Sequence, residues 1–351
     1  MKLSEWENRH LYYAVKFFQL PVKLAKLISI ENSYYPDLPH KNVFVRLCEM
    51  LGWMIKNRDF NKYYYLYGFD VKGSDIDESS YQNNSSFMRL RNRSNRIGMD
   101  INQVPLLRDK FLFYKYVSSF GLPVPEVFAV YQGGEWYDNA MKPINISSIQ
   151  NRSDYFFKGI NGQCGDYVHH IESFDQLREL LTDDTGIDAI AQEKVIQHHE
   201  MERLNPCAVN TIRIVTILEN GKPSVFRALL RIGTAGTSEK DNTSQGGIAL
   251  GIHEDGSLFD SGIRKPQFGG IIGEHPDTHV KFSDFVIPYY REAVALALRA
   301  HSIFYQTKSI GWDIAISESG PVIIEGNDDW ELQSFQAIYG GMRSEWQSRM
   351  N

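Results

Sequence analysis

"GWDIAISESGPVIIEGNDDW", residues 311–330, reads as a β-hairpin that carries acids where apolar residues should dominate. Two short apolar runs, 312–316 and 322–324, flank Glu318-Ser319-Gly320-Pro321. Side chains alternate along a strand, which places Asp313 with Ala315 and Ser317, and Glu325 with Ile323 and Asn327. A three-residue turn, Glu318-Ser319-Gly320, with Gly where positive φ is favoured, then sets Asp313 opposite Glu325. An even-length turn puts them out of direct register. Opposed Cβ atoms lie ~4.5–5.5 Å apart in an antiparallel pair, and two ionised carboxylates at that distance repel. One must take a proton, or a cation must sit between them. Asp, Glu and Asn offer hard oxygen ligands, which suit Mg²⁺ rather than zinc or copper. The hairpin alone leaves three readings open: a Mg²⁺ site, a glycosidase acid pair, or two carboxylates each paired with a basic residue elsewhere.

Upstream lysines narrow the choice. "YFFKGINGQCGDYV" (155–168) is an apolar strand ending in Lys158 and followed by Gly159, Gly162 and Gly165. Glycines let a backbone approach a polyanion and turn its N–H groups toward it, and a lysine adds a point charge for phosphate. The loop is neither a P-loop nor a dinucleotide fingerprint. Lys110 opens a predicted helix, Asp109 to Phe120, closed by Gly121 and Pro123. In "AIAQEKVIQHHEMERL" (189–204), the backbone of Glu193-Lys194-Val195-Ile196 can read an adenine edge, and Glu200 can accept from ribose hydroxyls. His198 and His199 lack a third ligand at suitable spacing and read as rim histidines.

Arg213, inside the apolar "VNTIRIVTI" (209–217), needs an anionic partner, either a structural carboxylate or a bound phosphate. Arg227 and Arg231 on "VFRALLRIG" raise the same question. "KDNTSQGGIALG" (240–251) carries Asn242 and Gln245 into Gly246-Gly247, a polar loop turning toward a site. Phosphate clamps followed by a hard-metal site point to a nucleoside triphosphate with magnesium, and a glycosidase has no use for them.

The whole chain is consistent with an enzyme. Its 351 residues allow two or three domains, and its net charge of −6 argues against a general nucleic-acid binder. Three scattered cysteines suggest a reducing cytosol, and no N-terminal signal pattern or bilayer-length apolar run is visible. A cytoplasmic protein is the expectation. The first ~70 residues carry a helical rhythm; Leu20 to Ile28 with nearby lysines reads as a packed helix, the sharper alternative being peripheral membrane contact. Gly73 to Asn95, rich in Ser, Asn and Asp, reads as a long loop or linker.

Taken in order, these motifs resemble the ATP-grasp superfamily. "WDIAISESGPVIIEGN" is similar to its metal-binding hairpin, with Asp313, Glu325 and Asn327 at the ligand positions. "NTIRIV", "LLRIG", "DNTSQGG", "HPDT" (275–278) and "AHSIF" together are closest to the sugar-transfer-associated branch. The resemblance implies an α+β fold in which two subdomains, 106–200 and 201–351, clasp ATP behind a mainly helical region, 1–105. It implies an ATP- and Mg²⁺-dependent ligase that joins a small-molecule or sugar carboxylate to an amine or amino acid, in cell-surface polysaccharide or sugar modification. Lys110 and Lys158 would hold the phosphates, and Arg213 with Arg231 would stabilise the acyl phosphate. Asn242, His275 and Asp277 would meet the acceptor. A kinase acting on a hydroxyl is the rival reading, and a non-catalytic ATP-regulated protein the third. The small α/β domain that usually precedes the grasp is not evident in residues 1–100, which bears on the acceptor.

Overall fold

The computed structural model describes residues 28–95, 102–161, 167–183, 186–235 and 246–350. The amphipathic stretch 20–27, Gly162, Gly165, Asn242 and Gln245 lie outside them. Among the described residues, the first helices are α1 (Val43–Asn57) and α2 (Asn84–Ser94). The second corrects the reading of 73–95 as a linker. Asn83 caps it by accepting from the Ser86 N–H at 3.0 Å, and Phe87 is fully buried. One buried aromatic anchors a segment whose polar composition hides it. Asn83→Ala is expected to lower stability by about 1 kcal/mol, the usual cost of a lost N-cap, read from the denaturant midpoint.

Two short helices follow, α3 (Val104–Arg108) and α4 (Lys110–Ser119). Asp109 caps α4 through the Leu112 N–H at 2.8 Å, and the expected helix is present nearly to the residue. The first sheet holds β1 (Val127–Gln132), β2 (Glu135–Tyr137), β3 (Pro143–Ile144), β4 (Tyr155–Gly159), β5 (Val168–Ile171) and β6 (Ala189–Glu193). Its order is β3-β2-β1-β6-β4-β5, antiparallel throughout. Helix α5 (Phe174–Asp183) buries Leu177 against Phe157 and Tyr155 on one face. The opposite face packs Ile190 against Phe111 of α4.

After α6 (His199–Leu204) comes the second sheet, of β7 (Thr211–Glu219), β8 (Lys222–Ile232), β9 (Ile248–Ile252), β10 (Leu258–Ile263), β11 (Ile271–Ile272), β12 (Ser309–Ser317) and β13 (Gly320–Asn327). Its order is β11-β10-β9-β8-β7-β12-β13. Helix α7 (Tyr290–Ile303) carries Ala293, Leu296, Ala297 and Ala300, an i, i+3, i+4, i+7 stripe, and lies on the face made by Ile212, Ile214, Trp312 and Ile314. The other face is covered at one end by an aromatic layer, where Phe87 meets Trp346 with ring centroids 4.7 Å apart. Helices α8 (Gln333–Tyr339) and α9 (Arg343–Met350) complete that layer. Gln336 ties α8 back to the N-terminal region by accepting from the Gln82 N–H at 2.6 Å and donating to the Tyr67 hydroxyl at 3.0 Å. No helix among the described residues is long and apolar enough to cross a membrane.

The hairpin corrects one step of the sequence reading. Ser317 pairs with Gly320, so the turn has two residues, Glu318 and Ser319. Gly320 has φ +119, the left-handed region expected of it. Pairing runs evenly to Ile314↔Ile323, then shifts by one residue to Asp313↔Glu325. A β-bulge at Ile324 therefore creates the opposed acids that the turn alone would have misaligned. It also separates residues expected on one face. Ile323 joins the α7 side with Ile314, whereas Glu325 and Asn327 turn to the side of Asp313 and Gly311.

Candidate functional site

Asp313 is 3% exposed, and a lone carboxylate there would be costly to ionise. The partner predicted for Arg213 turns out to be this residue. Arg213, directly opposite on β7, donates from Nε to Oδ1 and from Nη2 to Oδ2, the latter at 2.8 Å. Arg231, diagonally placed on β8, adds a bond from Nη1 to Oδ2 at 3.0 Å. Burial alone would raise the Asp313 carboxyl, but the two guanidiniums hold it well below the ordinary carboxylate range. Gly311 makes room for this pairing. A Cβ there would stand 2.7 Å from Cβ of Trp330 and 3.3 Å from Cδ of Arg213.

Glu325 is the complementary case. Burial and the like charge of Asp313 push its carboxyl upward. Asn327 donates from Nδ2 to Glu325 Oε1 at 3.1 Å. The sheet thus holds one anion already neutralised beside an acid that favours its proton until a cation arrives.

Two lysines complete the constellation. Lys158 leaves β4 on the face opposite Phe157, with its Nζ 2.9 Å from Gln192 Oε1 and over the Phe156 ring at 5.1 Å. Burial lowers its amine to about 8 despite the nearby Glu325 carboxyl. Lys110, at the start of α4, donates to the Gly159 carbonyl at 3.0 Å. Its amine is lowered by burial, with Glu325 acting in the opposite direction. Glu325 therefore acts on both amines, so α4, β4 and the hairpin converge on one polar centre.

The other predicted residues divide. The Glu193 N–H is taken by the Glu126 carbonyl at 2.8 Å, and Lys194 pairs with Asp154 at 2.7 Å. Ile196 is 62% exposed on the crossing from the first sheet to the second. That crossing is pinned to the hairpin by the His198 N–H donating to the Ile316 carbonyl at 2.7 Å. Glu200, in the first turn of α6, is ion-paired with Arg203. His275 is fully buried. Its Nε2 lies 2.9 Å from the Gly233 carbonyl, and Nδ1 accepts from the Asp277 and Thr278 N–H groups. This puts His275 behind the stem of the loop after β8, not on a surface an acceptor could reach. Asp277 accepts from the Ala235 N–H at 2.8 Å and braces the same stem.

Several contacts were not legible beforehand. Arg264 ties both ends of that loop, donating from Nε to the Gly246 carbonyl at 3.1 Å and from Nη2 to Thr234 Oγ1 at 3.4 Å. Asp328, just past the hairpin, is buried and held by Arg108 at 2.7 and 2.8 Å, which fastens the hairpin to α3. Glu318 is the third partner that His198 and His199 lacked. His198 nevertheless accepts from the Glu200 N–H at Nδ1 as the N-cap of α6. That bond occupies the Nδ1 lone pair, which leaves His198 only Nε2, 3.7 Å from Glu318 Oε2, to offer a cation.

The donor chemistry fits a polyphosphate with a hard divalent cation. Two partly buried amines have a carbonyl and an amide among their partners, while Glu325 and Asn327 offer oxygens nearby. Of the four lone-pair sites on Asp313, guanidinium N–H groups occupy three.

Two antiparallel sheets with helices packed on them define an α+β protein. The chain belongs to the sugar-transfer associated ATP-grasp family, whose model matches residues 89–347. Among solved structures it is similar to a D-alanine–D-alanine ligase from Bacillus anthracis, at 11% identity, 70% of this chain, 67% of that chain and a TM-score of 0.43. An L-amino acid ligase from Bacillus licheniformis matches at 12% identity over 67% of this chain and 43% of that chain, TM-score 0.41. An N5-carboxyaminoimidazole synthase from Aspergillus clavatus matches at 9% identity over 64% and 45%, TM-score 0.40. This chain thus spans less than half the length of the last two. No curated protein matches.

Proposed function

We propose that the chain is an ATP- and Mg²⁺-dependent carboxylate–amine ligase. A substrate carboxylate oxygen attacks the γ-phosphorus of ATP, the bond to ADP breaks, and an acyl phosphate forms. An amine nitrogen then attacks the acyl carbon, the C–O bond to phosphate breaks, and the amine proton leaves with the phosphate or solvent. Such phosphoryl transfer needs alignment and charge neutralisation more than covalent catalysis. The observation that carries the reading is the grouping of partly buried Lys110, bonded to the Gly159 carbonyl at the end of β4, with Lys158 on the same strand and Glu325 as the carboxyl nearby, beside an arginine-held Asp313.

In this reading Lys110 and Lys158 hold the phosphates. Arg213 uses only part of its five-donor fork on Asp313 and offers the remainder, with Arg231, to the acyl phosphate. The backbone from Lys194 to Ile196 takes the adenine edge and Glu200 the ribose. Asp313, Glu325 and Asn327 would hold Mg²⁺, which when bound neutralises charge on the phosphates. His275 and Asp277 position the loop that carries Asn242. The family description, sugar-transfer associated, supports a sugar substrate, and in this reading the donor is a sugar carboxylate such as a uronic acid in cell-surface polysaccharide assembly. An amino acid or simple amine is the acceptor. A screen of uronic acids and amino acids for phosphate release tests this: release should require an acid and an amine together. Release of a stable phosphorylated product with no amide would instead establish the kinase.

Lys158 gives a pH signature. Its amine is charged below about 8 in the unliganded protein, so ATP affinity should fall as pH rises through that value. Binding near it should take up protons, because the bound polyanion favours the charged amine. Lys158→Ala removes a charge-assisted contact worth ~1.5–3 kcal/mol, about a ten- to hundredfold loss in affinity. Calorimetry finding unchanged affinity would remove Lys158 from the phosphate site.

A further inference from the structure

A pocket lined by charged residues is built on α1, ahead of the family match, and closed by Arg343 of α9. Gly52 stands in the middle of that helix, where glycine costs roughly 0.5–1 kcal/mol relative to alanine. A Cβ placed on it would meet nothing within 4 Å. The space it faces is a cavity of about 190 Å³ walled by Glu49, Trp53, Lys56, Glu78 and Arg343. Nucleotides and drug-sized ligands occupy pockets of ~300–1,000 Å³, so this one suits a small metabolite.

Both signs of charge line it, and they are unevenly matched. Glu49 is engaged by Lys41 at 2.8 Å and by the Tyr64 hydroxyl. Among the described residues, Glu78, Lys56 and Arg343 have no ion-pair partner. Arg343 donates only to the Tyr81 carbonyl at 3.0 Å and to Asn57 Oδ1 at 3.4 Å. Burial and the like charge of Glu49 raise the Glu78 carboxyl, with Lys41 and Lys56 acting in the opposite direction without cancelling them, so the acidic side gains from a further cation. The basic wall gains from an anion. A ligand with a single charge satisfies one wall and leaves the other as it was.

We propose that this cavity binds a small zwitterion, an amino acid, with its ammonium on the Glu78 side, its carboxylate between Lys56 and Arg343, and its stem against Trp53. The inference rests on residues separate from the ATP site and stands or falls independently of the ligase reading.

Calorimetric titration of the full chain with glycine, L-alanine, L-serine, L-glutamate and L-lysine tests it, with acetate and methylamine as singly charged controls. At least one amino acid should bind saturably, and more tightly than either control by about tenfold or more. Gly52→Leu fills the cavity without a clash at Cβ and improves helix propensity, so it should abolish binding with no loss of melting temperature. Glu78→Gln and Lys56→Met should each weaken binding about tenfold. Absence of binding at millimolar amino acid, equal binding of the controls, or binding that survives Gly52→Leu would overturn the proposal.

Discussion

Glu325→Gln is expected to abolish ATP-dependent turnover, by at least ~10²–10³-fold, the scale on which single charge-stabilising groups act in such reactions. The fold should persist and the unliganded protein should be no less stable than the wild type. The sign follows from the environment of Glu325. Burial and the Asp313 charge raise its carboxyl above the ordinary value, so the folded chain binds the Glu325 proton more readily than the unfolded chain does. The stability associated with that proton is fully present below the unfolded carboxyl value and is lost as pH rises through the folded one. Glutamine has no charge to acquire, so the variant avoids that loss at neutral pH. Near-normal turnover in a well-folded Glu325→Gln protein would remove Glu325 from the cation site.

Asp313→Asn should behave differently. It also removes charge without removing volume, but it leaves two partly buried guanidiniums facing each other with no anion. Breaking a buried pair from one side costs ~3–5 kcal/mol, so this variant should melt well below the wild type and below Glu325→Gln, in addition to losing turnover. The Asp313 carboxyl is depressed by Arg213 and Arg231 against the opposing effect of burial. Its contribution is therefore present above the ordinary carboxylate value and is lost as pH falls through the folded one. The stability difference between wild type and Asp313→Asn should shrink on acidification. A thermal melt of Asp313→Asn matching the wild type at neutral pH would show that the arginines do not depend on it.

The hairpin's opposed acids could be foreseen because two apolar runs flank a Gly-bearing turn and alternation does the rest. The route to them could not. Period-two reasoning has no means of placing a one-residue bulge, so a three-residue turn stood in for a two-residue turn plus the bulge at Ile324. That error also put Glu325 on the face of Ile323, when the two point apart. Arg213 announced that it needed an anion, and the sequence left open which one. Strand order, with β12 beside β7, supplies Asp313. Long-range pairings of this kind were invisible throughout. Glu318 sits 119 residues from His199, and Arg108 reaches Asp328 across 220. Helix α2 was hidden because its composition is polar, with Phe87 its one fully buried apolar side chain and a buried arginine, Arg91, beside it. His275 drew attention as a polar residue in a motif, and its burial became readable only in three dimensions.

The most direct test of the ligase reading follows the oxygen atoms. With the first acid–amine pair that drives phosphate release, the acid is supplied with heavy oxygen in its carboxylate, and the released phosphate is analysed by mass spectrometry. An acyl phosphate intermediate requires one labelled oxygen to pass from the acid to the phosphate, the other remaining in the amide. Phosphate free of label, or label retained wholly in a phosphorylated product, would contradict it.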